Sequence, residues 1–223
     1  SLSPSQQAVA QGANLVNYLR GQKGFEDRTT NAPNNVFRLR ETILGDIVNS
    51  RPEFVGQASQ AYLDPGYEAF KASTESRRRM VYIGANDGML HAFDANTGQE
   101  RWAFVPTEVI KNMWKLADSN YTNKHDFFVN NAPIAADICV AACDNSASAS
   151  WKTILVGGLG AGGRAYYALD ITNPNAPELL WEFDNTLTAG GDPNMGYSFS
   201  EPRFTKLEDG TWVVLLTSGY NNM

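Results

Sequence analysis

MVYIGANDGMLHAFD (Met80–Asp94), continued by ANTGQERWAFV (Ala95–Val105), is the stretch on which the fold is read. Met80–Gly84 is an apolar run of strand length, Asn86–Gly88 is a turn tripeptide, and Met89–Asp94 is a second run of the same kind. Asn-Gly and Asp-Gly turns allow the positive φ that a tight hairpin needs, so the two runs predict antiparallel strands. Ala95–Gly98 is a second turn and Glu100–Val105 a third strand. Three strands meandering within so short a span make a sheet of propeller-blade size.

The same grammar returns further along the chain. Thr153–Gly158 reads as a strand, Gly160–Gly163 as its turn, Ala165–Asp170 as the return and Leu179–Phe183 as the third strand. Phe93-Asp94 then aligns with Leu169-Asp170, and Arg101–Phe104 with Leu180–Phe183, each pair of third strands carrying a Trp, Trp102 and Trp181. A third copy begins at Thr211–Tyr220 and is cut off after one strand. A small sheet that repeats cannot bury both its faces alone, and stacking copies around an axis solves the problem. The predicted class is mainly β, an incomplete propeller: blades take about 40 to 50 residues and a ring needs at least about four. The chain is therefore expected to be a piece of a longer protein.

Before the first repeat the pattern differs. Val9, Leu15, Val16 and Leu19 fall at helical spacing within Ser5–Arg20, with Ser3 and Pro4 as start signals and Gly21 and Gly24 as stops. One short helix is predicted there, followed by a polar connector over Asp27–Asn35. Phe37–Leu39, Ile43–Val48 and Phe54–Gly56 read as brief strands and turns. Residues 1–35 are thus a helix and connector leading in, and 36–223 a partial propeller of about three blades, the last truncated.

Composition narrows the function. The chain of 223 residues has 18 Lys plus Arg against 24 Asp plus Glu, a net charge of −6, with the basic residues scattered except at Arg77–Arg79. Phosphate binding needs a concentrated basic face, so no nucleic-acid partner is expected. The Arg triplet directly before a strand reads as charge that discourages edge aggregation, with contact to an acidic partner as the alternative. No apolar run reaches the ~18 residues needed to span a bilayer.

Chemistry-bearing residues are few. Cys139 and Cys143 lie in a loop-like run of small and polar residues; a disulfide clamping the loop is the preferred reading, ahead of free thiols and, last, a metal site lacking two of four ligands. His91 alternates with apolar residues on its strand and reads as packed or surface-facing, and His125 belongs to a loop or strand entry. Neither suggests a catalytic triad, and no catalytic residue is assigned. The glycines of residues 157–163 have the wrong phasing for a dinucleotide loop and no helix follows them. Asp94–Glu100 mimics a calcium loop, but Gly98 offers no side-chain oxygen and Val105 stands where a bidentate Glu belongs, so a hairpin turn is expected. Asp184–Asn194 carries Asp184, Asn185, Asp192 and Asn194 without a standard ligand spacing and reads as a connection.

Residues 84–102 resemble the repeat of quinoprotein-like propellers: a strand, Asp-x-x-Thr-Gly, then Trp. In that resemblance Asp94 caps the turn, Gly98 takes a left-handed conformation, and the Trp docks between blades. Asn17–Gly21, Phe37–Arg40 with Leu44–Pro52, Gly160–Asp170, and Gly196–Pro202 with Gly219–Asn221 are similar, in order, to the propeller of the PilY1/PilC family. The resemblance implies a modified propeller of a large exported, non-enzymatic protein of the periplasm, outer-membrane surface and pilus tip of a Gram-negative bacterium. It implies minor pilins and the rest of the tip protein as partners, host or abiotic surfaces as attachment targets, and calcium in the complete propeller. No cofactor is expected within this segment. The alternatives are a pyrroloquinoline-quinone dehydrogenase, which usually carries adjacent cysteines, and a periplasmic scaffold of outer-membrane assembly.

Overall fold

The turn at Asn86–Gly88 joins strands β2 (Met80–Ala85) and β3 (Met89–Asp94), paired antiparallel with Met80 opposite Asp94 and Ala85 opposite Met89. The computed structural model describes residues 1–28, 33–186 and 190–221. Strand β1 (Glu53–Val55) adds to β2 on one side and β4 (Glu100–Phe104) to β3 on the other, which makes a four-stranded antiparallel sheet in chain order. A second such sheet holds β5 (Ile134–Ala141), β6 (Ser150–Gly158), β7 (Ala165–Asp170) and β8 (Glu178–Asp184). A third, two-stranded sheet pairs β9 (Arg203–Lys206) with β10 (Trp212–Leu215). These are two propeller blades and the start of a third, in sheets that do not close into a ring.

The repeat expected from sequence is geometric. Tyr82, Ala92 and Trp102 face one another across β2, β3 and β4, and Val156, Ala168 and Trp181 do so across β6, β7 and β8. Each sheet then slips register immediately after the alanine, at Ala92/Phe93 and at Ala168/Leu169. A slip of this kind lets one strand bend and twist more strongly against its neighbour.

Each blade has one strand more than the repeat read from the sequence: β1 falls on the brief run at Phe54–Gly56, which was not counted into a blade, and β5 and β9 were missed. The third copy shows why: β10 takes the second place in its sheet, and β9 comes first. Ile43–Val48 is not a strand. It is a loop whose Ile43, Leu44, Ile47 and Val48 are exposed, hung on the β2–β3 turn by a bond from the Asn86 amide to the Asp46 carbonyl of 3.0 Å. Phe37 forms only an isolated bridge to Glu26.

The single N-terminal helix is two, α1 (Pro4–Val9) and α2 (Asn14–Leu19), because the chain turns through Gly12 at φ +61°. Ser3 caps α1 with Gln6 reciprocating. The expected connector at Asp27–Asn35 lies partly outside the described residues. Tyr18 and Phe37, fully buried with rings 5.1 Å apart, centre a small cluster with Leu2 and Ala117. Two further helices, α3 (Tyr67–Ser73) and α4 (Thr107–Ile110), lie between strands.

The main core runs between the first two blades. Met80, Tyr82 and Leu90 pack in one cluster with Leu155, Tyr167 and Leu169, and the Phe104 and Tyr167 rings sit 5.3 Å apart. Burial of such large side chains is worth roughly 1.5 to 3 kcal/mol each, so the face between blades supplies the main driving force. A smaller cluster of Ile154, Val156, Ala168 and Trp181 meets Phe204 and Val214 and joins the second blade to the third.

Candidate interaction surface

Trp102 does what the repeat predicts. Its indole Nε1 donates to the Pro174 carbonyl in the β7–β8 turn at 2.8 Å, and its ring stands 5.6 Å from Tyr82. Blade one is thereby bolted to a turn of blade two. Asp94 accepts the Asn96 and Thr97 amides at 3.0 and 3.2 Å and pairs with Arg78 at 2.5 Å. Asp170 accepts the Thr172 amide and hydroxyl at 2.9 and 2.6 Å and pairs with Lys152 at 2.6 Å. Arg78 and Lys152 each sit two residues before the residue opposite the aspartate, so carboxylate and cation repeat together. Burial pushes the Asp170 carboxyl up, but Lys152 and Thr172 outweigh it and hold it below the ordinary carboxylate range.

These contacts correct the reading of the Arg triplet. Arg78 is the partner of Asp94, and Arg77 is half-buried between blades, donating to the Gly56 carbonyl and, at 2.6 Å, to Thr153 Oγ1. Thr153 donates in turn to Asp137 at 2.7 Å, and the Tyr67 hydroxyl donates to the other Asp137 oxygen at 2.8 Å. Of the three, only Arg79 is exposed.

Cys139 and Cys143 are joined by a disulfide at the loop end of the β5–β6 hairpin. Beside it lies a cleft of about 700 Å³, walled by the disulfide, Asp64, Asp144, Lys206 and Trp212. Trp212 belongs to an aromatic nest with Tyr62 and Trp151, at ring distances of 5.3 and 5.9 Å.

The turn at residues 160–163 is pressed onto the chain before β5: a Cβ on Gly162 would stand 1.7 Å from the Phe128 carbonyl oxygen. Close backbone packing explains these glycines. His91 lies on β3 between Asp87 and Glu100, and His125, in a loop, reaches Asp46 at 3.0 Å. The Asp184 carboxylate accepts the Thr186 amide and hydroxyl, and Asp192 accepts the Asn194 amide; residues 187–189 of that connection lie outside the described residues. Among the described residues no group of three or more His, Cys, Asp or Glu could hold a metal ion, and no helix is long and apolar enough to cross a membrane.

One surface was not legible from the sequence. The segments of Tyr197 and Tyr220 exchange backbone hydrogen bonds, Tyr197 to Tyr220 and Gly219 to Tyr197, both 3.0 Å. Tyr197, Phe199 and Tyr220 meet there with ring centroids 5.3 to 5.8 Å apart. Phe199 and Tyr220 are 41% and 67% exposed, an unusual outlay of aromatic surface for residues with no covering element among those described. Sequence spacing alone does not bring residues this far apart together.

Stacked four-stranded antiparallel blades, locked by a tryptophan from one blade to a turn of the next, define a β-propeller of the quinoprotein-like kind. The profile of the PilY1 beta-propeller domain matches residues 44–223. The chain is 38% identical over 224 residues to the type IV pilus biogenesis factor PilY1 of Pseudomonas aeruginosa strain UCBPP-PA14, covering 97% of this chain and 18% of that protein. It is 41% identical over 217 residues to a PilY1 homolog of Xylella fastidiosa, covering 94% and 16% respectively. The crystal structure of the Pseudomonas aeruginosa PilY1 C-terminal domain matches 76% of this chain and 32% of its own, with TM-score 0.58 and 34% identity. The chain belongs to the PilY1 β-propeller family. It spans less than a fifth of the length of these two relatives.

Proposed function

We propose that this chain is part of a pilus-tip propeller that serves type IV pilus biogenesis and surface attachment, and that it is not an enzyme. The supporting observation is the match of two inter-locked blades, over nearly the whole chain, to relatives named as type IV pilus biogenesis factors. The blades work as a rigid platform: Trp102 and the Arg77–Thr153–Asp137 chain fix one blade to the next, so a load on one face passes to the whole domain. Its partners are minor pilins and the rest of the tip protein, its targets host or abiotic surfaces, and its location the exported compartments and pilus tip. The Tyr197–Phe199–Tyr220 patch is a contact surface of this platform. The calcium implied for the complete propeller is proposed to bind elsewhere than at the Asp94 turn, a reading supported by the Asp94 oxygens being taken by two amides and Arg78.

A quinone dehydrogenase is disfavoured by the disulfide, which joins cysteines four positions apart at a hairpin end and not adjacent ones. Deleting the parent gene is expected to remove surface pili, and minor pilins are expected to co-purify with the full-length protein. Normal piliation after deletion, or co-purification of barrel-assembly components in place of pilins, would overturn the proposal.

A further inference from the structure

His91 stands where a neutral imidazole cannot satisfy both neighbours. Its Nδ1 lies 2.7 Å from Glu100 Oε1 and its Nε2 3.0 Å from Asp87 Oδ1. Carboxylate oxygens only accept, and a neutral ring has a single N–H, so only the imidazolium serves both. The ring is 5% exposed and stacks on Phe93 at 5.9 Å, which leaves water little access.

The two carboxylates are unequal. Asp87, its side chain 12% exposed, also accepts the Gly45 amide at 2.7 Å and the Met89 amide at 3.2 Å, so it is built into the turn. Glu100 is 47% exposed, and among the described residues His91 is the partner of its side chain. The other charges nearby are Arg101 on β4 and Arg20 at the end of α2, which line the same cavity of about 430 Å³ as His91, Glu100 and Trp102. Asp46, from the loop that holds Gly45, is engaged by Asn86 and His125. Strand β2 places Ile83 opposite His91 and adds no charge.

We propose that His91 is a proton-operated latch on Glu100: the doubly protonated ring ties β4 to the β2–β3 turn, and the neutral ring keeps Asp87 and lets Glu100 swing into water. The asymmetry of burial decides which carboxylate leaves, since solvating Glu100 costs little and stranding Asp87 costs more. The cavity then loses one positive charge and its gatepost on the β4 side. Burial opposes the charge on His91, but Asp87 and Glu100 outweigh it and raise the group above the ordinary histidine value. The latch is accordingly full below about pH 6.5 and released as pH rises through the raised value.

The test is hydrogen-exchange mass spectrometry on the full-length protein between about pH 5 and 9, corrected for intrinsic rates. Imidazole C2 exchange reports His91 titration, and backbone amides report β4. Wild type is expected to titrate above the ordinary histidine range, with exchange in residues 100–104 rising about threefold or more across the transition. Glu100→Gln, whose amide can donate to the bare ring nitrogen, is expected to flatten that rise. His91→Gln is expected to hold the fast rate at every pH. A His91 that titrates at or below the ordinary value, or a Glu100→Gln profile that matches wild type, would overturn the latch.

Discussion

Trp102 is the residue on which the join between the first two blades turns. Replacing it with Phe keeps most of the apolar contact with Tyr82 and removes the bond to the Pro174 carbonyl. A loss of about 1 kcal/mol is expected in urea unfolding, whereas Trp102→Ala should cost about 3 or more through the cavity it leaves. Asp170 gives a pH signature. With its folded pKa depressed, its contribution is complete above the unfolded value near about 3.9 and disappears as pH falls through the lower folded one. Asp170→Asn should therefore be less stable than wild type at neutral pH and show a shallower acid slope in thermal melts. The role of Trp102 was legible in the chain, because a strand that ends in Asp and is followed by a third strand carrying Trp occurs twice, at Asp94 with Trp102 and at Asp170 with Trp181. Its acceptor was not: Pro174 belongs to a different blade and offers only a backbone oxygen. His91 was read as an ordinary strand residue because Asp87 reaches it around a tight turn and Glu100 from across the register slip.

At the scale of the element, hairpins with glycine turns were read correctly, while of the leading strands only β1 was met, as the brief run at Phe54–Gly56. Strand β1 is three residues long, and β5 puts Asp137 and Cys139 at buried positions where the apolar half of a strand pattern belongs. The Asp137 carboxylate is tolerated there because Tyr67 and Thr153 donate to it, and such a partner set leaves no trace in periodicity. The β5–β6 hairpin is also where the disulfide acts. It closes a very short loop, so its effect on the unfolded chain is small: Cys139→Ser with Cys143→Ser should lower stability by about 2 kcal/mol. Chemical denaturation of the double variant and of the reduced wild type checks this, and the two should agree.

For the molecule as a whole, the stacking of blades was legible from repetition alone, and the meeting of Tyr197 with Tyr220 was not, since nothing local records a contact made by strand return. Among the described residues β10 pairs on one side only, with β9, and Leu215 on it is 54% exposed. An open edge of this kind invites pairing with another chain. The 223-residue chain by itself is expected to self-associate, and Leu215→Lys should shift it toward monomer in analytical ultracentrifugation. Equal sedimentation of the two would show that the edge is harmless. The register slip after Ala92 and after Ala168 carries a last consequence. Irregularities copied at matching places point to tandem duplication of an ancestral unit that already possessed the kink, so a chimaera exchanging strands β2–β4 with β6–β8 should inherit the bend along with the sequence.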